Sequence, residues 1–192
     1  MSDARPARFV PYLAATLAAL LVLTAGLIAR AQDDAAEPNV DASFAQVLWD
    51  GWADVYTDWP YEAGVPEGYY VGAAPHGMVL RTFVNDVAEA DIAGGAAAFS
   101  AGAVLVKENH APTGVDLTGL DPQTALPDFQ GDLAAWTWMV KVPGYAPDTG
   151  DWFWGRFAAD GSLLAAGSPA GCIGCHAQVE DNDWVFNAAL GD

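Results

Sequence analysis

The spacing of the hydrophobic positions changes along the chain, and the change predicts both helices and strands. Between residues 42 and 59, apolar side chains recur at helical intervals, and Asp41 or Ser43 can cap the first turn. Later apolar runs are short and rich in β-branched and aromatic residues, which favours strands. The predicted strands cover residues 78–84, 103–109, 133–142, 152–158 and 162–166.

Two further helices are predicted around these strands. Asn85 or Asp86 can cap a helix over residues 87–93, with an alanine-rich continuation to about Ser100. A short helix is also predicted within the last segment, 171–190. Loops rich in Gly and Pro are predicted at residues 60–77 and 111–132. The order of the elements predicts an α+β domain with an antiparallel sheet of about five strands and flanking helices.

The first residues differ from the rest and predict export. Arg5 and Arg8 precede an uncharged apolar run from residue 9 to 29, and Ala29-Arg30-Ala31 is a small-x-small cleavage pattern. Residues 1–31 are therefore predicted to be a secretory signal peptide, although an uncleaved membrane anchor is the alternative. The acidic residues 32–41 are predicted to be a linker, and residues 42–192 the folded domain of a periplasmic protein.

Charge narrows the range of partners. The full chain has 25 acidic and 7 basic residues, a formal net charge of −18. Removal of the leader takes three of the basic residues with it, and the mature charge becomes still more negative. This balance argues against nucleic acid and anionic lipid as partners. It suits an exported, soluble protein with a basic electron-transfer partner, although an acidic surface that only aids solubility is the favoured alternative.

The chemistry-bearing motif lies near the end of the chain. Cys172-Ile173-Gly174-Cys175-His176 is C-x-x-C-H, the pattern for covalent attachment of a c-type haem. The spacing lets two thiols reach the two vinyl-derived carbons of one porphyrin while the histidine meets the iron. A disulfide and a redox dithiol are the alternatives, but export and the adjacent histidine favour haem.

The position of the motif favours an open iron. Only 16 residues follow His176, and none is a methionine that could serve as a downstream axial ligand. Beyond the leader, the methionines are Met78 and Met139, both in predicted strands. A haem with one open face, which binds or transforms small molecules, is therefore favoured over a six-coordinate electron carrier.

Five segments together resemble the cytochrome P-460 family, which includes the cytochromes c-prime-beta. They are PHGMVLRTFVNDVA (75–88), GAVLVKENH (102–110), MVKVPGYAPDTGDWFWGRF (139–157), DGSLLAAG (160–167) and GCIGCHAQVEDNDWVF (171–186). The resemblance implies a homodimer of antiparallel β-sheet protomers, each with one c-haem packed against the sheet. It also implies His176 as the iron ligand below an open distal site, where P-460 members oxidise hydroxylamine and c-prime-beta members bind nitric oxide.

The resemblance further implies roles for two strand residues. Lys107 matches the lysine that P-460 members cross-link to the haem ring, and in a strand it shares a face with Leu105 and Asn109. From spacing alone, a solvated lysine on an edge strand is the favoured alternative. Thr137 falls where hydroxylamine-oxidising members have a proton-accepting carboxylate. A threonine hydroxyl cannot act as a base near neutral pH, which favours gas binding as the alternative function.

A few other side chains are candidates for the site. Arg81 lies in an otherwise apolar and hydroxyl-bearing strand and could pair with a haem propionate or a distal anion; a surface charge is the alternative. His76 and His110 flank loops, and either could be a sixth iron ligand or a proton donor, although a loop histidine is more often simply exposed. Phe153 and Phe157 could cap the distal pocket, although core packing is the default for aromatic side chains.

Overall fold

The computed structural model describes residues 40–72 and 77–186, which all belong to one unit of the chain. The predicted leader, nearly all of the linker and His76 lie outside the described residues. The described helices are α1 (Val40–Trp52), α2 (Asp86–Gly94) and α3 (Ala170–His176). The strands are β1 (Tyr70–Val71), β2 (Val79–Val84), β3 (Val104–His110), β4 (Leu133–Lys141), β5 (Trp152–Ala158) and β6 (Leu163–Gly167). None of these helices has the length and apolar character needed to cross a membrane.

All six strands form one antiparallel sheet in the order β1-β2-β3-β4-β5-β6, so the α+β prediction is confirmed. Each strand pairs with the next one in the sequence. The five predicted strands correspond to β2–β6. The additional strand, β1, is only two residues long and lies inside the predicted 60–77 loop. A pair of residues is too short to show the alternation by which a strand is recognised.

The helix after β2 begins as predicted but ends earlier. The side chain of Asn85 accepts a hydrogen bond from the backbone N–H of Ala88 at 3.1 Å, which is an N-cap. The helix then stops at Gly94, because Gly95 adopts the left-handed conformation with a φ of 61°. The predicted continuation to Ser100 is therefore wrong, and the glycine pair explains why.

Alternation along the strands gives the sheet two different faces. On one face, Phe83, Val106 and Phe157 pack with Trp49 of α1 in a buried apolar cluster. The Trp49 and Phe157 rings are stacked with centroids 5.4 Å apart. The opposite face carries a second cluster around Trp152, next to α2 and α3. The cysteine motif lies on this second face.

Gly155 of β5 lets the Trp138 indole lie flat across the neighbouring strand. The two residues are paired in the β4–β5 register, and Trp138 is buried. A Cβ added at Gly155 would overlap the indole ring. We expect Gly155→Ala to lower the free energy of unfolding by about 1–3 kcal/mol, the usual cost of overpacking a core.

Urea denaturation of Gly155→Ala beside Gly94→Ala tests this expectation. No heavy atom lies within 4 Å of a Cβ at Gly94, so that variant controls for glycine replacement alone. Equal midpoints for Gly155→Ala and the wild type would contradict the packing argument.

Candidate haem site

A cavity of about 630 Å³ lies between α3 and one face of the sheet. Cys172, Cys175 and His176 all line it. Its volume falls within the 300–1,000 Å³ that small-molecule and cofactor sites usually have. The polar side chains of the other walls are Glu62, Thr82, Lys107, Asn109, Thr137 and Arg156. The main apolar ones are Leu80, Leu105, Met139, Trp154, Val185 and Phe186.

The two cysteines are presented by the first turns of α3. The helix begins after Pro169, whose carbonyl accepts hydrogen bonds from the N–H groups of Cys172 (2.9 Å) and Ile173 (3.1 Å). Residues three apart on a helix lie on one side, so both sulfurs reach the same cavity. They are free thiols. Burial raises the pKa of the Cys172 thiol, and the positive charge of Arg156 opposes this rise.

The His176 ring is oriented by a backbone carbonyl. Its Nδ1 lies 2.5 Å from the carbonyl oxygen of Trp184. A carbonyl can only accept, so Nδ1 carries a proton, and in the neutral ring Nε2 then bears the lone pair that an iron ligand needs. The rings of Phe186 and Trp154 flank the imidazole, with centroids 5.2 and 6.3 Å away. This environment fits a haem-ligating histidine.

An unusual turn presents that carbonyl. Asp183 and Trp184 both have positive φ values, 49° and 67°, which non-glycine residues rarely adopt. The Asp183 carboxylate holds the turn, because it accepts hydrogen bonds from Lys141 Nζ at 2.5 and 2.7 Å and from the Phe99 N–H at 2.7 Å. The Trp152 indole N–H also donates to the Asp183 carbonyl at 2.7 Å. The strained turn is thus fixed from several directions.

The cavity wall opposite α3 is formed by β3 and β4. Lys107 is paired with Thr137 across these strands, and both side chains line the cavity. Asn109 lies beside them and donates from Nδ2 to Thr137 Oγ1 and to the Lys107 carbonyl, each at 3.1 Å. The structure therefore brings Lys107 and Thr137 to the same cavity as Cys172, Cys175 and His176, as strand alternation predicts for Lys107.

Arg81 does not line the cavity but pairs with Glu108. Its Nε and Nη2 donate to the two oxygens of Glu108 at 2.7 and 2.8 Å, on the sheet face opposite the cavity. Tyr56 donates to the same carboxylate at 2.7 Å, and His110 Nε2 lies 3.0 Å from it. These four residues are called the Glu108 cluster below. Neither Arg81 nor His110 lines the cavity, so the structure gives them no contact with a group bound there.

Phe153 and Phe157 also lie away from the cavity. Both are fully buried in the cluster beneath α1. Their strand neighbours Trp154 and Arg156 line the cavity instead, because successive strand residues point to opposite faces. Sequence alternation alone cannot say which set faces the cavity. Met78 and Met139 do line it.

Glu62 was not predicted from the sequence. It lines the cavity although it lies within a predicted loop, and it is only 2% exposed. The available signal was weak. Tyr61 and Glu62 alternate as apolar and polar residues would in an extended segment, and a bridge between Tyr61 and Phe83 attaches that segment to β2. A single alternating pair cannot be recognised in a loop rich in Gly and Pro.

Comparison with known proteins agrees with this site. The sequence model described as Cytochrome P460 matches residues 55–187, which include both sides of the cavity and the cysteine motif. A search of curated proteins finds no match.

Proposed function

Because the chain belongs to the cytochrome P460 family, we propose that it is a mono-haem c-type cytochrome that oxidises hydroxylamine or a related small nitrogen compound. Membership of the family implies haem as the cofactor. The observation that carries the proposal is the convergence of Cys172, Cys175, His176 and Lys107 on one cavity. A structural disulfide would need no such cavity.

Cys172 and Cys175 would attach the haem. Each thiol adds across one vinyl group: a carbon–sulfur bond forms, and the thiol hydrogen passes to the other vinyl carbon. The addition needs no net oxidant or reductant. The free thiols and their positions in adjacent turns of α3 support this role.

His176 would hold the iron through Nε2 while the Trp184 carbonyl keeps the ring oriented. When bound, the haem supplies an iron that takes a small nitrogen ligand and passes electrons to an external acceptor. The apolar side chains of the cavity exclude water from that ligand. Lys107, on the cavity wall formed by the sheet, would contact the porphyrin and tune its electronic properties. We further propose that Lys107 forms a third covalent link between the protein and the haem ring.

A non-enzymatic gas-binding protein of the c-prime-beta kind is the second candidate. Thr137 favours it, because this hydroxyl accepts a hydrogen bond from Asn109 and has no basic group with which to remove a proton. In this alternative the open iron would bind nitric oxide or another diatomic gas without turnover. Thr137 would then only shape the pocket.

The cellular setting is also proposed. The basic, apolar and small-residue order of residues 1–31 supports export to the periplasm, where c-type haem proteins are assembled. The strongly acidic composition supports a basic electron-transfer protein as redox partner. A homodimer is proposed from the family resemblance.

Spectra and turnover of the holoprotein test the enzyme proposal together with the role of Lys107. We expect hydroxylamine oxidation in the presence of an artificial electron acceptor, and a red-shifted ferrous Soret band if Lys107 is linked to the ring. Lys107→Arg keeps the charge but cannot form the same link. It should lose the red shift and most turnover while keeping the haem bound through both cysteines.

Mass spectrometry of the haem peptides separates the alternatives. A peptide containing Lys107 that remains attached to the haem would support the link. An ordinary c-haem spectrum with no hydroxylamine turnover would reject the enzyme proposal and favour gas binding. A low-spin haem that resists nitric oxide would reject both in favour of electron transfer.

A further inference from the structure

Glu62 reaches the cavity because its segment extends along β2. The Glu62 N–H donates to the Thr82 carbonyl at 3.1 Å, and the Val84 N–H donates to the Pro60 carbonyl at 3.0 Å. Tyr61 stacks on Phe83, with ring centroids 5.0 Å apart, on the α1 side of the sheet. The next side chain, Glu62, therefore points to the opposite face, beside Thr82 and into the cavity.

Glu62 also lines a second concavity, which opens at the protein surface. This surface cleft has a volume of about 710 Å³, and its other acidic residues are Asp58, Glu67 and Glu89, all exposed. Among the described residues, Glu62 is the only acidic side chain that lines the inner cavity. Glu62, a buried acidic residue, thus borders both the inner cavity and an acidic cleft in contact with water.

The charged and titratable groups around Glu62 differ on its two sides. On the inner side, Lys107 lines the same cavity, and the Tyr70 hydroxyl bonds to Thr82 Oγ1 at 2.6 Å. The pKa of Tyr70 is raised by burial and then by the negative charge of Glu62, so this hydroxyl stays protonated near neutral pH. On the outer side lie the cleft carboxylates. Thr137 and Tyr70 cannot take up a proton at neutral pH, whereas a carboxylate can.

We propose that Glu62 carries protons between the haem cavity and the acidic surface cleft. The carboxylate takes a proton from an acidic molecule in the cavity and leaves the conjugate base behind. The resulting carboxylic acid then returns the proton to water or to a carboxylate of the cleft, and no oxidation state changes. The inference rests on haem occupying this cavity, as proposed above, but does not require hydroxylamine as the substrate.

Hydrogen cyanide is a suitable probe, because it binds ferric haem as the anion and must lose its proton on entry. Glu62→Gln removes the acceptor at nearly constant shape. We expect its rate of cyanide binding at neutral pH to fall on the order of 10²-fold, the lower range of general-base contributions. Glu62→Asp keeps a carboxylate and should recover part of the rate.

Two controls separate proton transfer from a damaged pocket. Carbon monoxide binding to ferrous haem involves no proton, so its rate should be unchanged in Glu62→Gln. Glu180→Gln, which removes an exposed carboxylate that lines neither the cavity nor the cleft, should bind cyanide at the wild-type rate. An unchanged cyanide rate in Glu62→Gln, or an equal loss for both ligands, would overturn the inference. Neither readout depends on hydroxylamine turnover, so the two proposals can fail separately.

Discussion

Replacing both cysteines, Cys172→Ala with Cys175→Ala, is expected to abolish covalent haem attachment completely. The two sulfurs line one cavity beside His176, and no other cysteine exists in the chain to replace them. His176 alone can still ligate the iron, but a single coordinate bond does not survive denaturation. Intact mass under denaturing conditions should therefore show the polypeptide without the haem, and acidified organic solvent should extract the pigment.

The single variants are the matched controls for this prediction. Cys172→Ala and Cys175→Ala each leave one thiol in place, and each should retain haem through one thioether bond. The packing lost with one thiol is small, because both side chains are only partly buried. Covalent haem in the double variant would show that another residue, with Lys107 the nearest candidate, forms a link on its own.

The fold could be predicted to the extent that its elements are long and regular. Strands β2 to β6 have five to nine residues each, enough for alternating or continuous apolar patterns to appear. β1 has two residues, and it is defined by tertiary pairing with Leu80 and Val79 of β2. Likewise, the alanine-rich stretch after α2 has helical propensity, but the left-handed Gly95 ends the helix.

The site could be predicted where chemistry depends on local spacing. Cys172, Cys175 and His176 are recognised within five consecutive residues, and strand alternation places Lys107 with Leu105 and Asn109. Which face of the sheet carries the cavity is a tertiary property, so the sequence cannot show that Arg81 lies on the opposite face, paired with Glu108. Glu62 depends on pairing between a loop and β2, which no local pattern reveals.

The orientation of His176 was also beyond sequence analysis. It depends on a carbonyl eight residues later, in a turn held by the Lys141–Asp183 ion pair, whose partners are 42 residues apart. Both side chains of this pair are largely buried, so the pair is only weakly screened by solvent. Two of the few basic residues of this acidic chain, Arg81 and Lys141, thus form ion pairs with buried carboxylates, one on each face of the sheet.

Glu108→Gln is expected to cause the largest loss of stability among these variants. Glu108 is 3% exposed and accepts hydrogen bonds from the Tyr56 hydroxyl and from Nε and Nη2 of Arg81. A glutamine has similar shape but no charge, so the half-buried Arg81 loses its counter-ion. We expect the free energy of unfolding at pH 7 to fall by about 3 kcal/mol, the lower end of the cost of breaking a buried ion pair.

The pH dependence identifies the carboxylate as the cause. Burial alone would raise the pKa of Glu108, but hydrogen bonds from His110, Arg81 and Tyr56 outweigh burial and lower it to about 2. Since the folded-state pKa lies below the unfolded-state value of about 4.5, the charge stabilises the fold above pH 4.5. That stability is lost progressively as the pH falls from about 4.5 to about 2.

Urea titrations of the holoprotein across this pH range provide the measurement. The difference in free energy of unfolding between the wild type and Glu108→Gln should be largest at pH 7. It should shrink as the pH falls from about 4.5 to about 2. Glu180→Gln, which neutralises an exposed carboxylate, is the control and should follow the wild-type curve. A difference in free energy of unfolding that stays constant down to pH 2 would contradict this explanation. It would show that the glutamine disturbs packing and that the loss of the Glu108 charge has no effect.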